Sequence, residues 1–184
     1  MLRIKLLATT LSLSLIVMVS TTVQAKKAAQ AKEIPGMLST HNKIRAQHQL
    51  PPLKWSPSLA NYAQQWADNL AKYKNCNMVH RPRSKSVNYG ENLYWASAVQ
   101  WSSGKVQAQK ISAQKVVQAW AAEKKYFNLR INQCFPGQQC GHYTQLIWKD
   151  TTQVGCGKAM CGDKSQIWVC NYNPAGNFPG RRPY

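Results

Sequence analysis

The stretch Cys140-Gly141-His142-Tyr143-Thr144-Gln145-Leu146-Ile147-Trp148 sets a histidine at the mouth of an apolar run. An imidazole there can fill a core, hold a metal or move a proton, and its neighbours decide which. Carboxylates are its natural partners, and this chain has few: Glu33, Asp68, Glu91, Glu123, Asp150 and Asp163, against 24 Lys and Arg. In so basic a chain each acid needs something to face. Glu123 follows Val116 and Trp120 at helical spacing, which places its carboxylate on the face that Trp120 buries. Thr144, two residues beyond His142, shares its face if the segment is a strand, although a β-branched residue in a strand needs no chemical reason. No GxSxG occurs to supply a nucleophile. His41 reads as a packed, hydrogen-bonded helix residue and His48 as surface.

The elements that must position these groups lie behind an export signal. Arg3 and Lys5, the apolar run Leu6 to Val19 and the small-residue ending Val23-Gln24-Ala25 give it the expected form over residues 1–25, with Ala29-Gln30-Ala31 a second cleavage candidate. The apolar run is short for a membrane span, which needs about 20 residues. Its removal takes two cations from the formal +18, leaving 159 residues at +16. That length suits one domain with a sizeable core, expected over residues 37–173 between a flexible leader, 26–36, and a tail, 174–184. A charge of this size favours anionic membrane or glycan surfaces. The cations are scattered rather than run together, so a specific nucleic-acid module is not indicated.

All six cysteines, Cys76, Cys134, Cys140, Cys156, Cys161 and Cys170, survive cleavage. An even count behind an export signal favours three disulfides, and the absence of CxxC argues against a thiolate zinc site. Their connectivity stays open among fifteen possibilities.

Periodicity predicts helices over about Met37–Gln49, from Ser56-Pro57 through Lys74, and over about Ser112–Lys125. Along the second, Leu59, Ala63, Trp66 and Leu70 form the apolar stripe. His142–Trp148, Val154–Met160 and Gln166–Asn171 read as three consecutive strands of an antiparallel meander. Residues 97–110 read as an exposed polar loop, Trp95 as core, and Trp101 is left open. The fold class is α+β, with helices covering a sheet.

Five blocks in order resemble the CAP superfamily of cysteine-rich secretory proteins, insect antigen 5 and plant pathogenesis-related proteins of group 1, with the plant type nearest. "GHYTQLIWKDT" and "IWVCNYNPAGNF" resemble its two signatures, with Trp168 slightly off the usual set, and "CNMVHRP", "GENLYWAS" and "WAAEKKYF" resemble three further blocks. The resemblance implies a disulfide-stabilised three-layer α-β-α sandwich with a central antiparallel sheet. It implies the pairs Cys76–Cys161, Cys134–Cys140 and Cys156–Cys170. It also implies a central cleft holding His80, Glu91, Glu123 and His142.

Neutral imidazoles and carboxylates in such a cleft suit zinc or another divalent cation, with affinity falling as the histidines protonate. A hydrogen-bonded His–Glu network that ties sheet to helices is the purely structural alternative. No organic cofactor is indicated. Family resemblance further implies a secreted monomer that is more a binding protein than an enzyme, taking a sterol or fatty acid, with Tyr89, Leu93, Tyr94, Trp95 and Trp101 as candidate lining. A metal-dependent hydrolase is the alternative activity. The tail "PAGNFPGRRPY" resembles the releasable signalling peptide of plant relatives, with Pro179-Gly180 and Arg181-Arg182 departing from that pattern. Export leaves periplasm and extracellular space both open.

Overall fold

The computed structural model describes residues 31–82, 84 and 86–184. The proposed signal and the first part of the leader, residues 26–30, lie outside them.

Helix α2, Pro57–Tyr73, shows how local sequence becomes architecture. The Ser56 hydroxyl accepts the Leu59 N–H and Pro57 occupies the first turn, so the start is capped as its sequence predicts. Leu59, Ala60, Ala63, Ala67 and Leu70 are buried on one stripe. Most are small, and strand β7, Gln153–Met160, answers them with Gly155 and Gly157. A Cβ on either glycine would collide with the α2 backbone at Ala60 or Gln64. The helix therefore lies close against the sheet.

That sheet runs in the order β1-β7-β8-β2, with β1 Lys54–Trp55, β8 Gln166–Asn173 and β2 Gly90–Ala96. The β7–β8 and β8–β2 pairs are antiparallel, while β1 joins β7 in parallel. Strand β8 is buried from Gln166 to Tyr172, and alternation splits its side chains between two cores. Ile167 and Val169 pack with Ala63, Ala67 and Leu70 of α2. Trp168, Cys170 and Tyr172 pack with α1, Met37–Ala46, α3, Ala113–Ala121, and α4, Gly141–Leu146. Helices thus cover both faces of the sheet, the three-layer sandwich of the expected fold class.

All six cysteines are paired as Cys76–Cys161, Cys134–Cys140 and Cys156–Cys170. The last pair sits directly opposite across the β7–β8 ladder.

Several expectations are corrected. His142–Trp148 is not a strand: α4 is a short helix there, and the sheet takes β2 in its place. The third helix stops at Ala121 and tightens into a 3-10 turn, Ala122–Tyr126. The first helix stops at Ala46. The expected loop over 97–110 contains a separate hairpin of β3, Ala98–Gln100, and β4, Val106–Ala108. Trp95, expected in the core, is exposed, whereas Leu93 on the same face of β2 packs into the core with α2, so that cover ends between them; Trp101 is exposed beside the hairpin. A second small hairpin joins β5, Phe127–Asn128, to β6, Gln133–Cys134.

Two polar side chains are wholly buried under α1. Arg45 has no acid beside it. Its guanidinium donates to the carbonyls of Pro51, Leu146, Trp148 and Thr151 at 2.8–3.2 Å, with that of Lys149 at 3.5 Å. It thereby satisfies the carbonyl end of α4, where a cation is favoured. Burial lowers its pKa to about 10, so it remains charged at neutral pH. His41 donates from Nδ1 to the Met37 carbonyl at 2.8 Å and accepts the Tyr172 hydroxyl at Nε2, 2.9 Å. Its expected packing role holds, and burial lowers its pKa to about 4.

Arg45→Met leaves these carbonyls without their donor and is expected to cost at least ~3 kcal/mol in urea unfolding with disulfides intact. A cost below ~1 kcal/mol would contradict the assignment. His41 supplies a second test. Its folded pKa lies below that of the unfolded chain, so its contribution is complete above about pH 6.5 and is lost as pH falls toward 4. Wild type should lose on the order of 3 kcal/mol more than His41→Gln across that window. Parallel pH profiles would refute this.

Candidate functional site

Helix α4 has only six residues, too few to bury its own free N–H groups cheaply. Cys140 before it offers no side-chain cap. The cap comes from another element. Glu123, on the 3-10 turn after α3, accepts the backbone N–H of His142 at 3.0 Å and of Tyr143 at 3.3 Å through Oε2. Its Oε1 takes the His142 Nδ1 at 2.6 Å. An ionised carboxylate only accepts, so the hydrogen lies on Nδ1, and in the neutral ring Nε2 carries the free lone pair. The Trp120 ring stacks on His142, and Trp120 Nε1 is tied to the Leu93 carbonyl at 2.8 Å. Asn92 of β2 holds the His142 carbonyl from the other side.

The second histidine is held in the same way. Glu91, on β2, accepts His80 Nδ1 at 2.8 Å and the Arg81 N–H at 3.0 Å through Oε1, while Oε2 takes the Asn171 amide. Each glutamate therefore fixes one imidazole through Nδ1 and the main chain beside it. Arg81 anchors its segment to α2, with its guanidinium 3.7 Å from the Tyr62 ring and bonded to the Tyr62 carbonyl. His80 is exposed while Glu91 is largely covered. The hydrogen bond His80 donates to Glu91 raises the His80 pKa above its ordinary value, against a smaller opposing effect of burial.

The four residues named from the sequence thus meet two by two, His80 with Glu91 and His142 with Glu123. A cleft of about 390 Å³ is lined by His80, Arg81, Tyr89, Glu91, Asn171 and Asn177 among others, and its described lining does not include Glu123 or His142. Among the described residues no group of three or more His, Cys, Asp or Glu side chains is arranged around one metal position. Thr144, placed beside His142 by a strand reading, turns away on the helix, and its hydroxyl donates to Asn177 Oδ1 at 2.7 Å. Asn92, Asn171 and Asn177 were missed. Their signal was present, as amides inside otherwise apolar or glycine-rich segments.

Residues 38–172 match the family model described as CAP, the cysteine-rich secretory protein family. The chain belongs to the CAP family. Among its relatives, pathogenesis-related protein 1C of Nicotiana tabacum is 40% identical over 147 residues, 80% of this chain and 78% of the relative. Pathogenesis-related protein PR-1 of Medicago truncatula is 38% identical over 148 residues, covering 80% and 76%. The solved structure of Schistosoma mansoni venom allergen-like protein 4 matches with a TM-score of 0.60 at 27% identity, covering 80% of this chain and 90% of that one. These likenesses agree with the plant-type resemblance and with the sandwich.

In this CAP chain the glutamates make separable predictions. Glu123→Ala should destabilise the protein by about 1–2 kcal/mol, the cost of a lost helix cap. An unchanged unfolding midpoint would remove the capping role. Glu91→Gln should lower the His80 pKa, followed by NMR titration. A raised folded pKa stabilises below the unfolded value and is lost as pH rises through the folded one, so this variant should be more destabilised at pH 5 than at pH 8. Equal losses would contradict the pairing.

Proposed function

We propose that this is an exported binding protein without catalytic activity, whose His80 and His142 offer Nε2 to a divalent cation. The observation that carries the reading is the shared geometry of the two His–Glu pairs. A histidine whose Nδ1–H is held by a carboxylate is oriented and made more basic at Nε2, as metal-binding histidines usually are. The donor set fits an exchangeable ion better than a structural one. Two imidazoles fall short of the four ligands of structural zinc, so water or a ligand atom would complete the shell. The carboxylates are occupied as clamps.

A hydrolase working through a protein nucleophile gains nothing from the geometry. The cysteines are oxidised, and the Thr144 hydroxyl is engaged away from His142. Release of the tail as a peptide would first have to break its fastenings, among them the Lys149 N–H to Pro183 carbonyl bond at 2.7 Å. Three disulfides and the family agree with secretion. We assign residues 1–25 as the export signal and a defence role by likeness to the pathogenesis-related relatives. Sterol or fatty acid, and an anionic membrane or glycan surface, are the partners we propose. The large net positive charge supports contact with an anionic surface.

Zinc titration by calorimetry and native mass spectrometry tests the cation reading. His80→Ala and His142→Ala should each weaken uptake about tenfold or more. Because the His80 pKa is raised, its share of the affinity should start to fall at a higher pH than for an ordinary imidazole. Zinc binding unchanged in both variants would end the proposal.

A further inference from the structure

The chain's charge is nearly unopposed at its surface. Arg181–Asp150, at 2.7 Å, is the only Lys or Arg ion pair among the described residues. Around the C-terminal tail, cations from several segments converge. The Arg182 guanidinium donates to the carbonyls of Leu129 at 2.6 Å and Arg130 at 3.0 Å, in the turn of the β5–β6 hairpin. Asn132 holds the Arg181 carbonyl, and the Lys149 N–H holds that of Pro183. Burial and, secondarily, the charge of Lys124 lower the His48 pKa, and His48 bonds the Tyr184 hydroxyl. The acids of these segments are Glu123, which caps α4, and Asp150, paired with Arg181.

Apolar side chains are interleaved with these cations. Leu129 is 42% exposed and Ile131 52%, in the turn of the hairpin that the tail pins down, and Phe135, just past β6 in the loop closed by Cys134–Cys140, is 45% exposed. We propose that this hairpin and the basic tail form a docking face for an anionic lipid bilayer. The inference rests on the membrane part of the function proposed above and gives it a location. Charge complementarity selects an anionic partner, since cations beside a membrane are drawn to acidic headgroups. The apolar side chains select a bilayer over a soluble polyanion: they gain by leaving water for the acyl boundary, whereas a polyanion has nowhere to bury them. Arg130 makes no side-chain hydrogen bond within the described structure and is free to meet a headgroup. Arg182 keeps the turn presented.

The test is co-sedimentation of the intact, oxidised protein with phosphatidylcholine vesicles containing or lacking 30% phosphatidylglycerol (roughly one anionic lipid in three). Binding is expected only to the anionic vesicles. Arg130→Gln should weaken it about fivefold, and Leu129→Ser with Ile131→Ser about tenfold or more. Trp101→Ala, on the separate hairpin, should leave it nearly unchanged. The face is overturned if the double serine variant binds vesicles and heparin as wild type does, which would make this a polyanion surface. It is equally overturned if Trp101→Ala alone removes binding, or if no vesicle binding occurs. In that last case zinc uptake at His80 and His142 still decides the cation reading independently.

Discussion

One carboxylate, that of Glu123, holds the central part of this molecule together. It satisfies the open N-terminus of α4, fixes the His142 ring, and joins the end of α3 to both. The opposite end of α4 is satisfied by Arg45, whose buried charge faces carbonyls and no acid. A helix of six residues has little intrinsic stability. It persists because a negative group sits at its positive end and a positive group at its negative end, both supplied from elsewhere in the fold.

Glu91 repeats the arrangement at His80. The repetition explains how a chain with six acids uses them. Two are used to orient imidazoles, and the exterior is strongly cationic because 24 Lys and Arg outnumber all six acids fourfold. The same placement makes any cation at Nε2 a guest of a framework that already holds without it.

Much of the fold was legible in the sequence. The Ser56-Pro57 start and the Leu59–Ala63–Leu70 stripe specified α2, and short apolar runs bounded by turn signals specified β7 and β8. Export signal and cysteine number pointed to disulfides, while their pairing came from resemblance alone. The failure at α4 has a physical cause. Tyr143, Thr144, Ile147 and Trp148 have strand propensity, and what makes the segment helical is the distant Glu123 and the Cys134–Cys140 bridge. No local window contains that information. Trp95 misled for a similar reason, since its burial depends on how far along β2 the core under α2 extends. The site residues were identified through family motifs, but their division into two pairs required coordinates.

The account turns on which nitrogen of each imidazole carries hydrogen. Long-range ¹⁵N–¹H correlation NMR of the metal-free protein, at a pH above the titration of both rings, measures this directly. Both His80 and His142 should be protonated at Nδ1, with Nε2 bare. A hydrogen on Nε2 of either ring would mean that its glutamate does not clamp it, and the shared design of the two sites would fail.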